Sequence, residues 1–213
     1  MNSVKIIYLE RANEIEIYYN FIENFIETST NDDLNKILKS NMILMLYNLV
    51  ESTMSNAIEE IHNNIHSNGV SFDLLKIELR EVLVSYLKSN SNAKDFVTKI
   101  SSIANDIVKI SFSKQKVFSG NVDSRKIQEI SKQYGFDSKT DHTETKNGNC
   151  LLTIKSKRND LAHGTYSFTE IGKEYTTEDL EKMKKEAINY LKEILNNIDK
   201  YLKNQDYKQP VIA

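Results

Sequence analysis

Apolar residues recur at helical spacing along most of this chain, and turn residues are scarce. Ile15, Tyr18, Phe21, Ile22, Phe25 and Ile26 predict a first amphipathic helix over about 11–28. Thr30 followed by Asp33 has the form of a capping box, with Asp in place of Glu, and predicts the start of a long helix over about 32–66. Its middle, 42–50, is apolar nearly all round. Such a segment belongs at the centre of a bundle and is too short to span a membrane. Ser71 is positioned to cap a third helix over about 72–89, closed by a Ser/Asn cluster, and a fourth covers about 93–111. Residues 113–122 read as a loop containing Gly120. Asp123 or Ser124 then caps a short helix that runs to Tyr134 and stops at Gly135. The polar stretch 137–149 predicts a mobile loop. Helix resumes from about 150 to Ala162 and halts at Gly164. After a loop over 165–175, a final helix covers about 177–203, with Leu180, Met183, Ala187, Leu191, Ile194, Ile198 and Tyr201 as its apolar stripe.

One Pro and six Gly in 213 residues leave these helices almost uninterrupted. The predicted fold class is therefore all-α, a single domain in which 72–118 is a candidate helical insertion. Charge alters this picture little. At 27% charged residues and a net charge of −2 the surface is an ordinary globular one, which excludes a general nucleic-acid coat and confines any RNA contact to a local basic patch. The lone cysteine, Cys150, excludes an internal disulfide and a cysteine-based zinc site. The first nine residues lack a long apolar core and no run approaches 18 apolar residues, so the expectation is a cytoplasmic protein without membrane contact.

The candidate chemistry lies in Arg158-Asn159-Asp160-Leu161-Ala162-His163. Arg keeps its charge and matches phosphate with a planar fork, while His takes or gives a proton near neutral pH. Together they supply what metal-free phosphodiester cleavage requires: a proton carrier and a clamp for charge developing on phosphorus. Five positions on a regular helix separate two side chains by about 140°, so Arg158 and His163 would not share a face. Either the helix ends between them, as Gly164 suggests, or a partner subunit supplies one of them. The competing reading is structural: Arg158 pairs with Asp160 or Glu170, and His163 sits at a helix C-terminus favoured by the dipole.

The surroundings of the motif resemble the HEPN superfamily of prokaryotic RNases and nucleotide-binding domains. The apolar helix ending Leu44-Met45-Leu46-Tyr47-Asn48-Leu49-Val50-Glu51-Ser52 is similar to the Tyr-x3-Glu helix of one HEPN-like nuclease branch. Gly120-Asn121-Val122, Ile127 and Tyr134-Gly135-Phe136 resemble the segment that this branch places before its motif. Lys157 to Gly164, then Ser167-Phe168 and Tyr175-Thr176-x2-Asp179-Leu180, resemble its C-terminal signature. The resemblance spans roughly 34–203 and constrains 72–118 poorly. It implies an all-α, HEPN-like, metal-independent endoribonuclease that needs no cofactor, often from antiviral, toxin–antitoxin or restriction-linked loci. It also implies a homodimer whose cleft is lined by both copies of the motif. Some members have lost catalysis and only bind RNA or a partner protein, and others are toxins silenced by an antitoxin that modifies a tyrosine such as Tyr166.

With that resemblance, the expected reaction is attack of a ribose 2′-OH on the adjacent phosphorus, leaving a 2′,3′-cyclic phosphate and a 5′-OH. Acid and base are both needed, and two His163 side chains in a dimer would provide them. Arg158 would stabilise the pentacovalent charge, and Asn159 would orient the imidazole or bond a phosphate oxygen. Lys155 and Lys157 would extend the phosphate patch. Glu51, a carboxylate ending an apolar run, needs a partner if buried, and Arg158 is the candidate; otherwise it begins the exposed half of its helix.

Other polar groups read as structural. His62 and His66 stand at i,i+4 near Glu59, a spacing that can hold zinc, but no third ligand follows and a solvated helix face is expected. Asp141-His142 falls in the polar loop. Tyr18, Tyr19, Tyr47 and Tyr86 are expected in the core rather than as a base-stacking platform. Lys182, Lys184 and Lys185 read as a solvated basic face.

Overall fold

The computed structural model describes residues 1–89, 118 and 120–209. Among them it is all-α, with helices α1 (Asn2–Thr28), α2 (Asp32–Ser67), α3 (Ile77–Ser89), α4 (Ser124–Tyr134), α5 (His142–Thr145), α6 (Asn149–Ala162), α7 (Phe168–Gly172) and α8 (Thr177–Asn204). The predicted helix over 93–111 lies outside the described residues. No strand occurs among those described, and one isolated antiparallel bridge joins Leu75 to Lys208.

The apolar run at 42–50 makes α2 the axis of the bundle. Met42, Ile43, Leu46, Tyr47, Leu49 and Val50 are all buried, and α1, α6, α7 and α8 pack around them. Burying such side chains contributes on the order of 2 kcal/mol each, so this helix anchors the core. The α8 stripe faces inward as predicted, from Leu180 through Tyr201. Capping differs in detail. Asn31, rather than Thr30, caps α2 by accepting the Leu34 amide at 3.0 Å. Two full capping boxes, Ser167/Glu170 and Thr176/Asp179, start α7 and α8.

Three expectations change. α1 begins at Asn2 rather than near 11, and its inward residues are Val4, Tyr8, Ile15, Tyr19 and Ile22, so Phe21 points to solvent. The third helix begins only at Ile77: Phe72–Leu74 form a 3-10 turn, and Ser71 bonds Asp73 instead of capping. The polar 137–149 stretch carries α5 and a 3-10 turn (Lys146–Gly148) instead of an irregular loop. Asp141 donates its amide to Glu193 at 2.7 Å, Asn197 donates to the Lys139 carbonyl at 2.9 Å, and Thr145 is fully buried. Polar composition concealed the first two anchors because each joins the stretch to a residue more than 50 positions away on α8.

α7 holds the far end of α2 by direct backbone contact. A Cβ on Gly172 would lie 1.9 Å from the Lys36 carbonyl oxygen, so only glycine permits this approach. Ser40 adds a hydrogen bond to the Phe168 carbonyl. This contact, together with α6 on α2, sets where the motif helix sits.

Candidate active site on the motif helix

α6 carries the whole motif and ends in a Schellman motif. Gly164, at φ +67°, donates to Leu161 at 3.2 Å and Thr165 donates to Asp160 at 2.9 Å. His163 keeps helical dihedrals, and Gly164 turns the chain after it. The helix therefore ends at Ala162, between Arg158 and His163, as Gly164 suggested: Arg158 lies within α6 and His163 is its C-cap.

Arg158 reaches across to α2. Its guanidinium carbon lies 4.2 Å from the centroid of the Tyr47 ring, its Nη1 donates to the Gly120 carbonyl at 3.1 Å and to Asn159 Oδ1 at 2.8 Å, and its Nη2 stands 3.6 Å from Glu51 Oε2. Tyr47 is fully buried, and burial holds its phenol above the ordinary range. Its hydroxyl accepts the Val122 amide at 3.4 Å. A cation over a desolvated ring gains about 1–2 kcal/mol, and the flat guanidinium suits that face. Gly120 belongs to the same construction: it adopts φ +74°, and a Cβ there would approach the guanidinium to 3.1 Å. Asn159 also donates to Asn121 Oδ1 at 3.3 Å, so its amide is bonded to Arg158 and Asn121 and not to the imidazole.

The side chain of His163 is exposed and makes no hydrogen bond or ion pair among the described residues. An exposed imidazole at a helix end is within reach of an incoming group. Tyr166, half-exposed, follows three residues later, with Lys157 Nζ 5.9 Å from its ring centroid.

The two lysines expected to widen a phosphate patch are held by carboxylates. Lys155 bonds Asp123 at 2.5 Å, and Asp123 is buried while capping α4 through the Lys126 amide. Burial alone would raise the Asp123 carboxyl, but Lys155 and that amide outweigh it and hold the group below the carboxylate range. Lys157 bonds Glu174 at 2.6 Å, which raises the Lys157 ammonium.

The remaining polar candidates resolve as follows. His62 is buried, not solvated: Nε2 lies 2.8 Å from the Tyr134 hydroxyl, and desolvation lowers its pKa to about 3. α4 covers this end of α2, which the i,i+4 spacing could not reveal. His66 remains exposed, and no group of three metal-ligating side chains occurs among the described residues. Asp141 caps α5 and His142 is exposed. Tyr19 and Tyr47 are core residues as expected. Lys184 is buried against the Tyr19 ring, 4.0 Å away, and pairs with Glu16 at 2.6 Å, so this basic run is not a uniform solvated face. Tyr47, Gly120 and Asn121 were not singled out from the sequence as site residues. Their signal was present in the segments that carry the family resemblance.

No described helix is long and apolar enough to cross a membrane. No curated protein and no solved structure matches the chain. A family model described as MAE_28990-like HEPN matches residues 9–207, and such a domain points to a nuclease or RNA-related role. With a match across nearly all of its length, and with an all-α bundle built around α2, this chain belongs to the HEPN superfamily.

Proposed function

We propose that this protein is a metal-independent endoribonuclease acting in antiviral defence or growth arrest, with Arg158, Asn159 and His163 as its site. The observation that carries this reading is the division of labour on α6. Arg158 is held by Tyr47, Gly120, Asn159 and Glu51, while His163 stands exposed at the end of the same helix. A clamp should be rigid and a proton carrier should be reachable.

In the proposed reaction, one His163 accepts the ribose 2′-OH proton as the 2′-oxygen attacks phosphorus. A second His163, from the other copy of a homodimer, donates a proton to the departing 5′-oxygen. The products are a 2′,3′-cyclic phosphate and a 5′-OH, so protons balance without a metal. Arg158 stabilises charge on the non-bridging oxygens, Asn159 and Glu51 hold the guanidinium at its angle, and Lys157 exchanges the partly exposed Glu174 for a phosphate. Lys155 supports the site from below through buried Asp123. An antitoxin or defence-system partner protein would keep the activity in check.

A second reading rests on one contact set. Arg158 already has three acceptors from its own chain, which suits a regulator that binds RNA or a partner protein without cutting. The test is incubation of wild-type, Arg158→Ala and His163→Ala protein with total cellular RNA in EDTA, with fragment ends mapped. Cleavage by wild type alone, with cyclic-phosphate ends, supports the nuclease. RNA retention without cleavage by folded protein supports the binding module.

A further inference from the structure

Segment 120–123 runs beside one face of α6 and is tied to it at three points. Lys155, Arg158 and Asn159 stand at i, i+3 and i+4, so they share that face. Arg158 Nη1 donates to the Gly120 carbonyl at 3.1 Å, Asn159 Nδ2 to Asn121 Oδ1 at 3.3 Å, and Lys155 Nζ to Asp123 Oδ2 at 2.5 Å. The three ties differ in strength. The Asn159 bond is exposed and the Arg158 bond only partly buried, whereas Asp123 is 3% exposed. An ion pair at that depth is little screened by salt, and breaking it strands a charge.

Asp123 has a second hold. Its Oδ1 accepts the Lys126 amide at 2.9 Å and so caps α4, which fixes the end of the segment to a helix. One carboxylate therefore joins α4, the segment before it, and α6 one turn ahead of Arg158. The Gly120 carbonyl that meets the guanidinium is only three residues from this anchor. Arg125 also approaches Asp123, at 3.4 Å, but its side chain is 71% exposed and that contact adds little.

We propose that Asp123 is a positioning residue for Arg158. By pinning segment 120–123 to Lys155, it holds the Gly120 carbonyl and Asn121 where they set the angle of the guanidinium. Asp123 is buried and acts only through these neighbours. This role rests on the reading of Arg158 as the phosphate clamp and extends it to the residue that keeps the clamp in place.

The experiment follows the Arg158 Nη resonances in the full chain labelled with ¹⁵N-arginine, assigned by their loss in Arg158→Lys. The chain has four arginines, so the spectrum is sparse. Rotation about the Cζ–Nε bond averages Nη1 with Nη2, and fixed acceptors slow it. Thermal melts and cleavage of total RNA are measured on the same samples. Asp123→Asn keeps a cap for α4 and removes the charge. Asp123→Asn/Lys155→Met also removes the stranded lysine, so it should melt close to wild type. In both variants Arg158 should rotate about tenfold faster, and cleavage should fall about tenfold. Arg125→Ala should change neither. Unchanged Arg158 rotation in the folded double variant overturns the role, as does equal loosening by Arg125→Ala. Failure of both Asp123 variants to fold makes the residue purely structural and overturns it as well. Wild-type protein that cuts no RNA refutes the nuclease reading, while the rotation rates still decide whether Asp123 positions Arg158.

Discussion

The Arg158 guanidinium lies 4.2 Å from the centroid of the fully buried Tyr47 ring, joining the motif helix to the central helix of the bundle. The ring does two things at once: it fills the core and aims the cation. Tyr47→Phe keeps the ring and loses only a long bond from the Val122 amide. It should retain RNA cleavage, at a cost of about 1 kcal/mol in stability. Tyr47→Leu should lose cleavage at least tenfold while remaining folded, because the guanidinium loses its platform. Cleavage rates paired with urea melts separate the two effects, and equal rates for Phe and Leu would refute the platform role.

Arg158 reaches back toward α2 while His163 caps the end of α6 in solvent, and five positions of regular helix would set the two about 140° apart. If the site spans a homodimer, mixing inactive Arg158→Ala with inactive His163→Ala, followed by subunit exchange, should restore measurable cleavage. A mixture that stays silent despite proven exchange would argue that each chain carries its own site.

Of the six glycines, Gly172 is the one whose added Cβ would meet backbone most closely, at the Lys36 carbonyl. Gly172→Ala should lower stability by about 2–4 kcal/mol, since neither backbone segment can yield without lifting α7 from α2. Ser40→Ala, which removes the bond to the Phe168 carbonyl, should cost nearer 1 kcal/mol. Chemical denaturation of the two variants would test that ranking.

His62 imposes a pH dependence on stability. Desolvation holds it neutral, with a folded pKa of about 3 against 6.5 when unfolded. The unfolded chain therefore binds the extra proton between those values, so the contribution is complete above about pH 6.5 and declines as pH falls. From pH 7.5 to 5 this amounts to about 2 kcal/mol. His62→Gln should show a correspondingly smaller decline in unfolding midpoint over that interval. An identical slope would mean that His62 is solvated.

Much of the architecture could be read from pattern alone. The apolar run at 42–50 announced a central helix, the stripe from Leu180 to Tyr201 announced a buried face, and Gly135 and Gly164 announced two helix ends. These are local properties: helical periodicity and left-handed glycine turns follow from neighbours a few residues apart. The pairing of Glu51 with Arg158 was also foreseen, because a carboxylate closing an apolar run needs a cation.

What remained hidden depends on distant partners. The sequence could name Arg158, but only tertiary packing puts Gly120 and Tyr47 against its guanidinium, from 38 and 111 positions away. It could list five lysines as cations, but only packing ties Lys155 to buried Asp123 and Lys184 to Glu16. His62 and His66 are equivalent in spacing, yet α4 covers one and leaves the other in water. The sequence by itself determined which segments become helices and which residues bear chemistry, because both are set by local composition. The tertiary structure alone decided which charges are already neutralised and which remain open, because burial and ion pairing are properties of space rather than of spacing.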